Sequence, residues 1–399
     1  MESYLLDWVN LLLRWAHVVT AVAWIGASFY FVLLDSSLTK PESDDLKAKG
    51  VDGELWAVHG GGFYHSQKYM VAPRWRPLPD NLHWSYWESY STWLTGFALF
   101  TVLYLFNAGS FLVDKSVHDW SAGAAVAGAL GFLVAFWLIY DLICRAFGQR
   151  RSGDLVVGIG VFVFVIVASW LACRLFAGRA AFLLVGAMLA TTMSANVFVW
   201  IIPGQRKVIA QLRAGRTPDA IHGQRGKQRS VHNTYFTLPV LVAMLSNHYS
   251  FIYSHPQRWL ILLGLMLAGA LIRLFFVQRH GNKLGRVGNP WPYAAAGVVL
   301  LLALIAWLKP APAAPAAALP AKVDYAQVQP ILAQRCYICH GEQVQQKNLR
   351  VDSEALASAN AQLIYQQVVA AKLMPLANST QMTDDERALV GRWFEGQGK

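Results

Sequence analysis

The chain has 399 residues, 55% of them hydrophobic and only 14% charged, with a formal net charge of +11. Ordinary soluble domains carry roughly 25% charged residues, so this composition excludes a typical soluble fold and points to a membrane protein. The basic surplus reads as membrane topology and lipid-headgroup contact, and nucleic acid is not an expected partner.

The amino end, MESYLLDWVN, is acidic. It lacks the basic n-region of a cleaved signal peptide, so the first helix is expected to stay in the protein. Apolar runs follow at 5–34, 87–106, 122–143, 155–176, 180–202, 235–253, 259–277 and 294–308. Most reach the roughly 17–25 residues that cross a bilayer as helix, and the last gains length if it begins at Trp291. The expected fold is all-α: a polytopic membrane bundle of about eight transmembrane helices over residues 1–308, followed by a small all-α domain.

Within the first run, His17 stands in RWAHVVTAVAWIGASFYF, with Trp24 and Ser28 on the same helical face. The His-x6-Trp-x-Gly interval resembles the first helix of several membrane families that bind b-type haem. The connection 35–86 is long for a compact protein, and long loops are usually functional or disordered. It contains GELWAVHGGGFYHSQKY and runs into LHWSYWESY, too rich in Trp, Tyr and His to read as disorder. Gly60–Gly62 let backbone approach a ligand. His59, His65, Lys68, His83 and Glu88 supply donors, acceptors and proton carriers, and Trp56, Phe63, Tyr64 and Trp84 supply faces on which a flat ring can stack.

Cys144 and Cys173 fall near opposite ends of neighbouring apolar runs and read as buried small apolar residues. The sixth run carries HNTYFTLPVLVAMLSNHYSF, with His232 at its entrance and His248 at its outer end, about 24 Å apart along a helix. His17 and His248 fall at similar depth, which makes them candidate ligands of a haem b, since intramembrane ionisable groups are functional-site hypotheses. Basic residues gather in alternate connections: Lys40 to Arg76, Arg145 to Arg151, Arg206 to Arg229, and Arg279 to Arg286. The positive-inside rule places these in the cytoplasm and both termini outside.

Residues 309–321, KPAPAAPAAALPA, form an Ala/Pro-rich linker, extended and reaching up to about 40 Å. The last segment, 322–399, contains RCYICHGEQV. Cys-x-x-Cys-His is the attachment signature of c-type haem. Cys336 and Cys339 are placed for two thioethers, and His340 for the proximal iron ligand. Met raises the potential of such a haem, and Met374, which precedes Pro375 in a loop, is the expected second axial ligand of the iron. Met382 precedes Thr383, a helix N-cap with Glu386 three residues on, and reads as a hydrophobic staple. Helices are expected from Tyr325, over 362–371 and over 384–394, as in the small cytochromes c that this tail resembles. Covalent haem would replace core that so short a domain struggles to provide.

WIGASFYF, GELWAVHGGGFYHSQKY, HNTYFTLPVLVAMLSNHY and the fused CYICH tail with MPLANSTQMT closely resemble the membrane-bound, cytochrome c-linked bacterial urate oxidases (urate hydroxylases). The resemblance implies a bacterial inner-membrane enzyme with a periplasmic cytochrome c domain. It implies oxidation of urate to 5-hydroxyisourate, with water as the oxygen source. Electrons pass through haem c to a downstream cytochrome or terminal oxidase, and no hydrogen peroxide is made. His59, His65, His232, Lys68 and Glu88 are then the candidate catalytic residues, and Lys68, Arg229 or His232 would hold the urate anion. Two rival classes remain: a quinol or cytochrome electron-transfer protein with no purine substrate, and a transporter or metal permease of the copper-resistance type.

Overall fold

The computed structural model describes residues 2–309, 323–342, 344–375, 378 and 380–397. Beyond Lys309, the expected linker 309–321 lies outside the described residues. Contacts divide the chain into two compact units: Met1–Asn247 with Gln257–Leu304, and His248–Pro256 with Ile305–Lys399.

The first unit opens with helix α1, Glu2–Ser37. The long connection after it holds a hairpin, β1 (Gly53–His59) paired antiparallel with β2 (Gly62–Lys68), Trp56 opposite His65 and His59 opposite Gly62. Gly60 and Gly61 form its turn with φ of 60° and 80°. Positive φ at both central residues is what a two-residue hairpin turn of this hand requires. These glycines therefore close a turn, where a ligand contact was expected, and the all-α expectation is corrected by one two-stranded sheet.

Helix α2, Trp87–Phe100, continues as a π-helical segment, Thr101–Leu105. Helix α3, Ala122–Phe147, starts at Ser121, whose hydroxyl accepts from the Ala124 N–H at 3.2 Å. Helix α4 spans Gly153–Leu175. Helix α5, Gly178–Ala195, runs through a second π-helical segment, Asn196–Ile201, into α6, Ile202–Arg213. Helices α7 (Ala220–Leu245), α8 (Arg258–Lys283) and α9 (Trp291–Trp307) complete the bundle. Among the described residues, five helices are long and apolar enough to cross a membrane: Tyr4–Ser37, Ala122–Phe147, Gly153–Leu175, Gly178–Arg213 and Arg258–Lys283. Their length and apolarity are those of a membrane protein.

The sixth apolar run behaves differently from expectation. Asp219 caps α7 by accepting from the Ile221 N–H, so the helix starts well upstream, in polar sequence. It ends at Leu245, before a 3-10 turn over Ser246–His248. His232 thus lies about three turns inside a helix rather than at its entrance. Helix α5 forms the centre of the unit, with Phe182, Leu184 and Met188 fully buried. Helices α1 and α2 meet where His17 lies on Gly96, and a Cβ there would fall 2.7 Å from the His17 ring. Small residues at such contacts let helices pack closely in lipid.

The second unit is built from α10 (Tyr325–Arg335), α11 (Tyr337–His340), α12 (Glu354–Ala359), α13 (Ala361–Ile364, continued as a π-helical segment Tyr365–Ala370) and α14 (Asp384–Glu395). Its core gathers Val328, Leu332, Val351, Ile364, Val368, Met382, Val390, Trp393 and Phe394. Each fully buried side chain of this size contributes about 1.5–3 kcal/mol. Thr383 and Glu386 form the expected reciprocal cap, at 3.2 and 2.7 Å. Met382 is 3% exposed and belongs to the core itself. The residue one turn on is Arg387, so the expected staple finds no apolar partner there, and Met382 packs inward.

Candidate functional site

A buried polar cluster lies between α3, the π-helical segment after α5, and α7. The Tyr140 hydroxyl sits 2.7 Å from His232 Nδ1, and Asn196 Nδ2 donates to Tyr140 Oη and to Asn233 Oδ1, each at 3.0 Å. Asn233 Nδ2 donates in turn to the Met193 carbonyl. This chain fixes both amide orientations. Tyr140 Oη accepts from Asn196 and shares a second hydrogen bond with His232 Nδ1, whose direction follows the His232 tautomer. Beside it, Asp141 accepts from Arg229 Nη2 at 2.7 Å, Arg145 Nε at 2.6 Å and Trp200 Nε1 at 2.7 Å. Arg229 lies over the rings of Tyr140 and Trp200, at 5.0 and 5.3 Å. Cys144 Sγ is 3.9 Å from His232 Nδ1, so this thiol borders the cluster.

The hairpin separates the histidines that the sequence placed together. Cross-strand partners share a face, so His65 projects with Glu54 and Trp56, whereas His59 and Lys68 project from the other face. His65 Nε2 lies 2.6 Å from Glu54 Oε2, Gln67 Nε2 lies 3.3 Å from His65 Nδ1, and Trp56 stacks on the ring at 4.1 Å. Both ring nitrogens are engaged. The Glu42 backbone N–H, and after it the His65 ring, hold the Glu54 carboxyl below its ordinary value of 4.5, against a smaller effect of burial. His59 is exposed near the turn. The Lys68 ammonium is taken by Asp35 at 2.6 Å. Glu88 lies half-buried in the first turn of α2.

His17 Nδ1 lies 3.1 Å from the Thr92 carbonyl and 3.3 Å from Thr95 Oγ1, which commits the ring to the contact between α1 and α2. His17 belongs to the first unit and His248 to the second.

In the second unit, Cys336 and Cys339 are free thiols. Burial, and after it Cys339, pushes the Cys336 thiol up to about 11, while Arg387 pulls the other way. His340 Nδ1 lies 3.3 Å from the Leu349 carbonyl. Its own backbone accepts from the Val351 N–H and donates to the Cys336 carbonyl, each at 2.9 Å. A ring whose Nδ1–H donates to a carbonyl presents its Nε2 lone pair outward, the arrangement typical of a metal-ligating histidine. Met374 packs on the core of the same unit, and its carbonyl accepts from Arg387 Nη1 at 2.7 Å. This donor set fits a covalently bound haem c. Among the described residues, no group of three or more His, Cys, Asp or Glu is gathered as a metal site.

The model of the family described as "Urate oxidase N-terminal" matches residues 3–309. The chain belongs to that urate oxidase-related family. No curated protein and no solved structure matches the chain. The family match covers the whole helical bundle and ends where the second unit's tail begins, so it points to an oxidoreductase and to urate as its substrate. In a urate oxidase-related bundle, the Tyr140 cluster is a more enclosed setting for chemistry than the exposed hairpin. Sequence reasoning found His232 and Arg229 there but missed Tyr140, Asp141, Asn196 and Trp200. The signal was an Asp and an Asn inside otherwise apolar runs, which inside a membrane mark functional sites.

Proposed function

We propose that the helical unit oxidises urate to 5-hydroxyisourate and that the electrons leave through haem c held by the second unit. The bundle crosses the inner membrane of a bacterium about eight times, and the second unit stands in the periplasm. The observation that carries this reading is the joining, in one chain, of a urate oxidase-related bundle to a Cys-x-x-Cys-His segment with free thiols and a His340 Nδ1 bonded to a carbonyl. The urate monoanion plus water yields neutral 5-hydroxyisourate, one proton and two electrons. Haem c, bound by Cys336, Cys339, His340 and Met374, would supply a one-electron acceptor.

The chain's own residues handle charge and protons. Tyr140 Oη and His232 Nδ1 share a hydrogen bond, so the pair can accept a proton at one end and release one at the other. Asp141, with partly exposed Arg145 beside it, lies next to the pair and leads toward solvent. Arg387 and the backbone around His340 hold Met374 and His340, the two side chains that would bind the haem iron.

The test is anaerobic. Urate added to the detergent-solubilised protein is expected to bring up the reduced haem bands, at two equivalents of haem per urate. Cys336→Ser is expected to abolish covalent haem on a denaturing gel and urate-dependent reduction with it. Haem bands that respond to quinol and stay indifferent to urate would establish the rival electron-transfer reading instead.

A further inference from the structure

Two expected anion-holding cations are paired with carboxylates, Lys68 with Asp35 and Arg229 with Asp141, although Arg229 Nη1 is also buried without a hydrogen-bond partner among the described residues. Arg273 of α8 has no such partner. It interrupts the apolar run 259–277, is 4% exposed, and forms no ion pair among the described residues. Its Nε reaches the Thr234 carbonyl only at 3.4 Å. Its guanidinium carbon lies 3.8 Å from the centre of the Phe29 ring. Its Nη2 is buried with no hydrogen-bond partner.

The energetics do not close as they stand. An unpaired charge taken out of water is costly even after relaxation. A desolvated cation–π contact offsets only part of that cost, and a long hydrogen bond to one carbonyl adds little. An anion on the guanidinium would offset the remaining cost. The geometry also limits its shape. Phe29 covers one face of the guanidinium and Nε is spent on Thr234, so the in-plane Nη edge is what remains. A planar N–H fork matches the edge of a planar oxyanion. Tyr235 lies within electrostatic reach of Arg273.

We propose that Arg273 is the seat of the substrate anion: its free Nη edge binds urate, a planar purine lactam anion, between α1, α7 and α8. This deepens the urate reading and rests on it. Thr234 follows His232 by two residues on α7, so the seat and the Tyr140 cluster share a depth on roughly opposite faces of that helix. One helix then separates anion binding from the proton-handling pair, and Arg229 keeps a structural role with Asp141.

The experiment is equilibrium dialysis of labelled urate against full-length protein in detergent, anaerobic, with the haem reduced by ascorbate so that no turnover occurs. Arg273→Gln is expected to weaken urate binding about 10- to 150-fold, the loss of a hydrogen bond to a charged group. Arg273→Lys, which keeps the charge but not the fork, is expected to fall between the two. Thermal unfolding of Arg273→Gln should be unchanged or raised, because an unpaired buried charge has been removed; a purely structural arginine would lower it. Wild-type affinity in Arg273→Gln overturns the proposal, and so does displacement of urate by equimolar inorganic phosphate, which would make the seat a general anion site. A wild-type protein that neither binds urate nor is reduced by it overturns the function reading as well, which keeps the two failures apart.

Discussion

Arg387 shows how one side chain can hold the Met374 segment in a unit this small. It is 6% exposed, donates through Nη1 to the carbonyls of Val368 and Met374, and through Nη2 to Asn378 Oδ1. It therefore ties α14 to the segment that presents Met374. Arg387→Met keeps the aliphatic stem and removes every donor, leaving the carbonyls buried without partners. We expect a loss of about 3 kcal/mol, read as a lower thermal midpoint of the second unit, together with weakening of the near-infrared absorption of Met-ligated ferric haem. An unaltered midpoint and spectrum would mean that Arg387 does not anchor that segment. The neighbouring Cys-x-x-Cys-His stands out in the sequence because its spacing alone is a haem-attachment signature. Arg387 does not, because nothing local says that an arginine in the first half of a helix reaches back to two carbonyls. Arg273 was legible in principle, as a single charge in an apolar run, but its lack of a partner is a fact of three-dimensional packing.

At the scale of elements, the hairpin was hidden in plain view. GELWAVHGGGFYHSQK reads as two alternating strands about a Gly–Gly turn, yet its His and aromatic content drew attention to ligands instead. The fold turns that content into a lock: Glu54 on β1 accepts from the Glu42 N–H at 2.8 Å and pairs with His65 on β2. Glu54 has its carboxyl pKa depressed on folding, so its stabilising effect is fully present above the ordinary 4.5 and is lost as pH falls through the lower folded value. Limited proteolysis of the 53–68 segment should therefore be slow at neutral pH and accelerate below about pH 4.5. In Glu54→Gln the acid-dependent acceleration should vanish. A cleavage rate that ignores pH in the wild type, or an unchanged acid response in the variant, would remove Glu54 from this role. The helices, by contrast, were legible because long apolar runs in lipid have almost no alternative to helix. Their ends were not: α7 extends far into polar sequence because Asp219 supplies a cap that hydropathy does not register.

For the whole molecule, the parity of membrane crossings decides whether the scheme works. Among the described residues, five helices are long and apolar enough to cross a membrane, and an odd number of crossings would put the two ends of the bundle in different compartments. Helix α2 with its π-helical extension, α7, and the shorter apolar α9 supply the remaining crossings of an eight-helix reading, and an even number returns the chain to its starting side. Charge supports the even count. Arg145, Arg150 and Arg151 follow α3, and Arg206 to Arg229 occupy α6 and the start of α7, whereas the alternate connections offer little beyond Lys115, Arg174, Arg179 and Arg258. Arginine and lysine in short loops set orientation. A reporter enzyme active only outside the cytoplasm should therefore be silent when fused after Arg151 or Arg216 and active when fused after Trp307. Joined to the amino end behind its own export signal, it should be active too. Activity after Arg151, or silence after Trp307, would strand the Cys336–His340 segment on the inner face, away from an outward electron acceptor, and the coupling of urate oxidation to haem c would lose its route.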